Sequence, residues 1–144
     1  MDKAIVVGVC IKNENNEILM VQEAEEKIRG LYNIPAGKLD NGESIFEGAI
    51  REAKEETGYD VCLDSILCIQ YLENKSILKI VFNASIVSGD VCFDKSEIMD
   101  IKWLSFDKLE KLSKEELRSY DSNINIIKCA RENKNYSLDI INNI

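Results

Sequence analysis

Gly37–Gly58 reads GKLDNGESIFEGAIREAKEETG and gathers four of the chain's seven glycines beside a crowd of carboxylates. Ser44 and Glu47 form an S-x-x-E capping box, and Gly58 stands where a helix C-terminal glycine is expected, so Ser44 to Thr57 reads as a helix. With about 100° per residue and Glu52 at zero, Glu56 falls near 40° and Glu55 near −60°, while Ile45, Phe46, Ala49, Ile50 and Ala53 span about 20° to 160°. Lys54 and Glu47 lie on the opposite side, so the three glutamates do not share a face with the solvated charges. Glu56 falls among the apolar positions.

Like charges four residues apart repel even in water, and half-buried carboxylates must protonate, pair or bind cations. Arg51 offsets part of this charge. Hard divalent cations suit the remainder, Mg²⁺ or Mn²⁺ in particular, because carboxylate, carbonyl and water oxygens are their ligands. Such ions keep positions open for phosphate oxygens and acidify a bound water. Gly37 and Gly42 let the preceding loop turn tightly over the helix, and Gly48 leaves room for backbone or ligand. A fragment such as EAKEETG alone favours an ordinary solvated helix, and it is the helical-face argument that raises the metal reading to equal weight.

The remaining composition narrows the chemistry. The chain has 144 residues, 45% apolar and 31% charged, which fits one packed domain, 1–144. It contains no histidine, so imidazole bases, Ser-His-Asp systems and His-ligated zinc are excluded. A net charge of −8 without a basic stripe argues against a nucleic-acid polymer as partner. The apolar run Ala4 to Ile11 is too short to span a bilayer, and Asp2 stands where a signal peptide carries positive charge. No membrane association is expected, and the expected location is the cytoplasm. Five cysteines without a CxxC pair suggest neither a disulfide framework nor a zinc site, and most are expected to be small core residues.

Outside the helix, Ala4 to Lys12 and Ile18 to Gln22 read as strands of a β-hairpin turning at Asn13 to Asn16. Glu23 to Asn41 reads as a long functional loop. Strand patterns follow at Val61 to Leu72, Ile77 to Val87 and Ile98 to Leu104, then helical patterns at Phe106 to Leu117 and Ser122 to Glu132, with an apolar tail from Tyr136 expected to dock. This order gives an α+β fold with helices on the faces of a mixed sheet.

Gly37, Glu43 and Arg51-Glu52-Ala53-Lys54-Glu55-Glu56-Thr57-Gly58-Tyr59 together resemble the box of the Nudix (MutT-like) hydrolase family, GX5EX7REUXEEXGU, with all seven invariant positions matched. Ala53 and Tyr59 depart from the bulky aliphatic U residues, a matter of packing. Leu31-Tyr-Asn-Ile-Pro-Ala-Gly is similar to the family's W-x-x-P-x-G entry, with Tyr32 or Leu31 in place of tryptophan. Glu97 to Leu109, around Trp103, resembles its acidic segment and late helix. The tail from Tyr136 is similar to the NudJ-type bacterial subgroup, and the VQEA…RG…PAG run to a eukaryotic member acting on oxidised guanine nucleoside diphosphates.

The resemblance implies a Nudix-type α/β/α sandwich with a metal-binding loop-helix-loop. It implies Mg²⁺ held by Glu52, Glu55 and Glu56 with the Ala36 carbonyl, Glu43 in support, and Arg51 orienting the glutamates. The implied reaction is attack of metal-activated water on one phosphorus of a small phosphorylated substrate, a nucleoside tri- or diphosphate, oxidised ones included. Other diphosphates are alternatives: ADP-ribose, a dinucleoside polyphosphate or a thiamine precursor. So is a non-catalytic nucleotide-binding module. The general base varies within the family, with Glu52 first, Glu97 second and Asp100 third here. Arg29, Lys27 and Lys38 are candidates to meet phosphates, and Tyr32, Tyr71 and Phe82 to stack on a base, against a bland reading of solvated loop charges and core aromatics. Trp103 is expected in the core, and Ser105 as the cap of the helix after it. A homodimer is the expected assembly, although no residue dictates it.

Overall fold

In the computed structural model residues 3–144 are described, so Asp2 lies outside them. Strands β1 (Ala4–Ile11), β2 (Glu17–Glu23), β3 (Tyr32–Asn33) and β4 (Ala36–Lys38) precede helix α1 (Ile45–Thr57). Strands β5 (Tyr59–Leu72), β6 (Ile77–Gly89) and β7 (Ile98–Ser105) and helices α2 (Phe106–Glu110) and α3 (Tyr120–Arg131) follow. No described helix is long and apolar enough to cross a membrane.

The expected hairpin is corrected. β1 and β2 meet only at its neck, through the Lys12–Ile18 bridge and the Asn13 N–H donating to the Glu17 carbonyl at 3.0 Å. Beyond it they part into two sheets. One has the order β4-β1-β6-β5, with β1 and β6 parallel and the other pairs antiparallel; the second has the order β3-β2-β7 and is antiparallel. The reason lies in the side chains. Val7, Val9 and Ile11 of β1 enter the core shared with Ala49 and Ala53 of α1, while Cys10 enters the core shared with Ile126, Ile127 and Ala130 of α3. Leu19 and Met20 of β2 divide in the same way. Strands buried on both faces take central places, each with two partners, rather than pairing along their length.

The helices therefore cover opposite faces, as the α+β sandwich expectation requires. The region from Glu23 to Asn41 is not one loop, since it carries the short strands β3 and β4. β5 runs across three irregularities of register, the bends expected of so long a strand. The expected helix to Leu117 ends at Glu110; Ser105 caps it by accepting from the Lys108 N–H at 3.2 Å. Ser113 then starts a turn that it closes with Glu116, and Leu117 bridges to Tyr32. The tail docks as expected. Tyr136 exchanges backbone hydrogen bonds with Ile66, and Leu138 and Ile141 pack on the α1 side. Among the cysteines only Cys10 is fully buried, whereas Cys62 and Cys92 are exposed, which corrects the core expectation for those two.

Candidate metal and phosphate site

Local capping fixes where α1 begins and ends, and hence the direction of its glutamates. The Ser44 hydroxyl accepts from the Glu47 N–H at 3.0 Å, and Gly58, at φ 88°, donates back to the Lys54 carbonyl. A side chain at Gly58 would also collide with the backbone of Asp90 and Cys92. The buried arc of α1 holds Gly48, Ala49, Glu52, Ala53 and Thr57, so Glu52 lies within it, toward its Gly48 edge.

Gly37 explains how Glu52 is accommodated. A Cβ there would occupy the space of the Glu52 carboxylate, so this glycine permits a close approach between β4 and α1 rather than a tight turn. Gly48 likewise makes room for Leu39 and Glu43. Arg51 is the hub of the cluster. Its Nε and Nη2 donate to the two oxygens of Glu43 at 2.6 and 3.0 Å, its Nη1 to Glu52 at 2.9 Å and to Glu55 at 3.2 Å, and its Nη2 also to the Lys38 carbonyl at 3.1 Å. A bidentate guanidinium-carboxylate pair is among the strongest of such contacts. It holds Glu43 below the usual carboxylate range, with help from the Asp40 N–H.

Glu56 faces β4, where its Oε1 accepts from the Ala36 N–H at 2.9 Å. Burial pushes its pKa up to about 8, and the charges of Glu52 and Glu23 push the same way. Glu52 is only 9% exposed and is also raised by burial, but the Arg51 hydrogen bond pulls it back. For Glu56 the Ala36 amide and the Arg118 charge oppose the rise without offsetting the burial. Excess negative charge held in a poorly solvated place by hard oxygen donors fits a divalent cation. Among the described residues no three acidic or cysteine groups close on one point, because Glu52 and Glu55 turn to Arg51 while Glu56 turns to Ala36. The donor chemistry fits a metal, and Glu52 and Glu55 would exchange a guanidinium contact for it.

The other candidates separate. Glu97 is exposed just before β7, and its carbonyl accepts from the Ala24 N–H at 2.9 Å, at the end of β2 that carries Glu23. Asp100 is exposed and bonds the next backbone N–H. Lys27 is exposed; Arg29 is exposed and donates to the Ala24 carbonyl, so it is tied to its own loop. Lys38 is exposed beside the cluster. Tyr32 is half-buried against the α3-side core with Lys102 over its ring, and Tyr71 is exposed on β5. Phe82 is corrected as a substrate contact, since it is fully buried and packs on Phe46 with ring centroids 5.8 Å apart. Trp103 is half-buried against the α1-side core.

Three features were absent from the sequence reading. A β-bulge at Gln22/Glu23 turns Glu23 inward, where Arg118 pairs with it. Asn123, fully buried, donates to Asn33 at 3.0 Å. Lys79 is buried on β6. Its signal was the one readable of the three: a single charge inside the apolar run of Ile77 to Phe82.

A model of the NUDIX domain matches residues 2–123. Nudix hydrolase 8 of Arabidopsis thaliana is 35% identical over 104 residues, 68% of this chain and 28% of that protein. The 8-oxo-dGDP phosphatase NUDT18 of Mus musculus is 36% identical over 101 residues, 68% of this chain and 31% of that one. The chain thus spans only about a third of the length of the curated relatives it matches. A solved NUDIX hydrolase from Nitrosomonas europaea superposes with a TM-score of 0.87 at 26% identity, over 99% of this chain and 98% of that one. With the glutamates of α1 set against β4 and the sandwich around them, these matches mean that the chain belongs to the Nudix family.

Proposed function

We propose that the chain is a Mg²⁺-dependent hydrolase of phosphoanhydride bonds, acting on nucleoside tri- or diphosphates with oxidised guanine nucleotides among them. Mn²⁺ would substitute for Mg²⁺. The observation that carries this reading is the carboxylate cluster around Arg51, with Glu52 wedged against Gly37 and Glu56 poorly solvated against β4. The relatives supply the substrate class: the mouse protein is named for 8-oxo-dGDP.

Nudix hydrolases work with a divalent metal. Glu52, Glu55, Glu56 and the Ala36 carbonyl would hold it, and it would stabilise charge on the phosphates and acidify water. Glu52 is the proposed general base. It lies on the buried face of α1 against Gly37, where a base is held in one place. Arg51 fixes its orientation through the 2.9 Å contact and keeps Glu43 ionised beside it. Glu97 is the alternative base.

The test is a screen for released phosphate and pyrophosphate in Mg²⁺ with nucleoside tri- and diphosphates, their 8-oxo-guanine forms, nucleotide sugars and ADP-ribose. Turnover of an oxidised or ordinary nucleoside phosphate, abolished by chelation, is expected. Turnover of nucleotide sugars or ADP-ribose alone would replace the substrate class, and turnover unaffected by chelation would refute the mechanism.

A further inference from the structure

A cavity of about 180 Å³ lies on the other side of β4 from the carboxylate cluster. Ala36 and Gly37 form its shared wall, Asn33 and Ser119 contribute polar surface, and every ionisable side chain lining it is basic: Lys38, Lys75, Lys79 and Arg118. In a chain with 26 acidic and 18 basic residues, four cations and no carboxylate around one cavity is not the average surface.

Lys79 sets the character of this cavity. It is only 5% exposed, on the face of β6 that turns toward α3, and its ammonium donates to the Ser122 hydroxyl at a long 3.4 Å. Among the described residues Lys38, Lys75 and Lys79 have no carboxylate partner, and Arg118 pairs with Glu23 through one nitrogen. A buried ammonium without a counter-charge is costly, and a bound anion would relieve that cost. Ser119, at the start of α3, makes no side-chain cap bond, which leaves the positive end of that helix beside the same cavity. No aromatic ring lines the cavity, so it is not built to stack a base.

We propose that this pocket binds an anionic phosphoryl group of the substrate other than the one attacked, with Lys79 as its central contact and Lys75 and Lys38 at its mouth. The proposal rests on the hydrolase reading above. It makes the enzyme selective for substrates that extend past the scissile diphosphate with a further phosphate, across the narrow edge of β4.

The experiment has two arms. In the first, pyrophosphate is titrated calorimetrically into the protein in chelator, where the carboxylate cluster cannot bind it through a metal. Binding is expected, and Lys79→Met or Lys75→Ala should weaken it by at least about tenfold, the scale of one hydrogen bond to a charged group. In the second, steady-state kinetics in Mg²⁺ compare a nucleoside triphosphate with its diphosphate. Lys79→Met should raise KM for the triphosphate by about tenfold with kcat little changed, and leave the diphosphate nearly unaffected. Lys75→Ala, at a surface position, carries both arms if Lys79→Met does not fold. No pyrophosphate binding by the wild type would overturn the proposal. So would binding that depends on Lys79 while KM stays unchanged, because the pocket would then take free phosphate only. Glu52→Gln separates the two readings: it should lower kcat by about 10²-fold or more and leave pyrophosphate binding in chelator intact, so the pocket is decided even if no nucleotide is hydrolysed.

Discussion

Gly37 governs how close β4 and the Glu52 carboxylate can come, and no other residue fits that contact. Gly37→Ala is therefore expected to displace Glu52 and lower kcat by about 10²-fold, the cost of misplacing a reacting group by about an ångström. The melting temperature should move far less than the rate, and equal losses of both would mean that Gly37 serves folding alone. Lys79 makes the opposite prediction for stability. Burial lowers its pKa from 10.5 to about 8, so across that range the unfolded chain holds a proton that the folded one has released. Stability should rise with pH over the same window. Urea denaturation of wild type and Lys79→Met at intervals from pH 7 to pH 11 checks this: the rise should be absent in the variant, which should also be the more stable protein at neutral pH. Residue-scale features were unevenly legible. The box motif displayed Glu52, Glu55, Glu56 and Arg51 in a short stretch, whereas Glu23 and Arg118 are 95 positions apart and only the folded chain brings them together. Phe82 shows the converse. An aromatic in a strand can face ligand or core, and only its neighbour Phe46 decides.

Helix α1 concentrates stabilising caps and destabilising charge in one element. Removing the Ser44 hydroxyl with Ser44→Ala should cost about 1 kcal/mol, the usual value of an N-cap, measurable by denaturant unfolding. Glu56 gives the element its pH dependence. Its pKa is raised from 4.5 to about 8, so between those values the folded protein holds a proton that the unfolded chain has lost. Without metal, stability should fall as pH rises through that window, and Glu56→Gln should flatten the fall. Thermal melts in chelator from pH 4 to pH 9 would show it, and an equal slope in the variant would contradict the assignment. The ends of α1 could be read from the sequence because capping is local to a few residues. The pairing of β1 and β2 could not, since Asn13 to Asn16 is adequate for a hairpin and only burial on both faces draws the strands into separate sheets. The expected helix to Leu117 failed for a similar reason: its apolar spacing is satisfied by a short helix and a turn tied to Tyr32.

For the molecule as a whole, the two sheets hold α1 and its glutamates on one side and α3 on the other, with β4 as the partition between a carboxylate cluster and a basic pocket. The tail closes the α1 side. Tyr136 pairs with Ile66, Leu138 and Ile141 pack on the core, and the Asn143 side chain accepts from the Ile45 N–H at 3.4 Å. Removing residues 136–144 should cost about 2 kcal/mol, the order of burying one aliphatic side chain, read as a lower urea midpoint. Element order and layering were legible because apolar periodicity reports local burial. The basic pocket was not, because its cations come from β4, β6 and the segments before β6 and α3.

The most direct test of the catalytic account is the rate of nucleoside triphosphate hydrolysis in Mg²⁺ by the wild type, Glu52→Gln and Glu56→Gln, each verified as folded. The account predicts that kcat falls by about 10²-fold or more in both variants, the scale of losing a general base or a metal-holding charge. Rates within about threefold of the wild type in both would place the chemistry elsewhere than on α1 and contradict it.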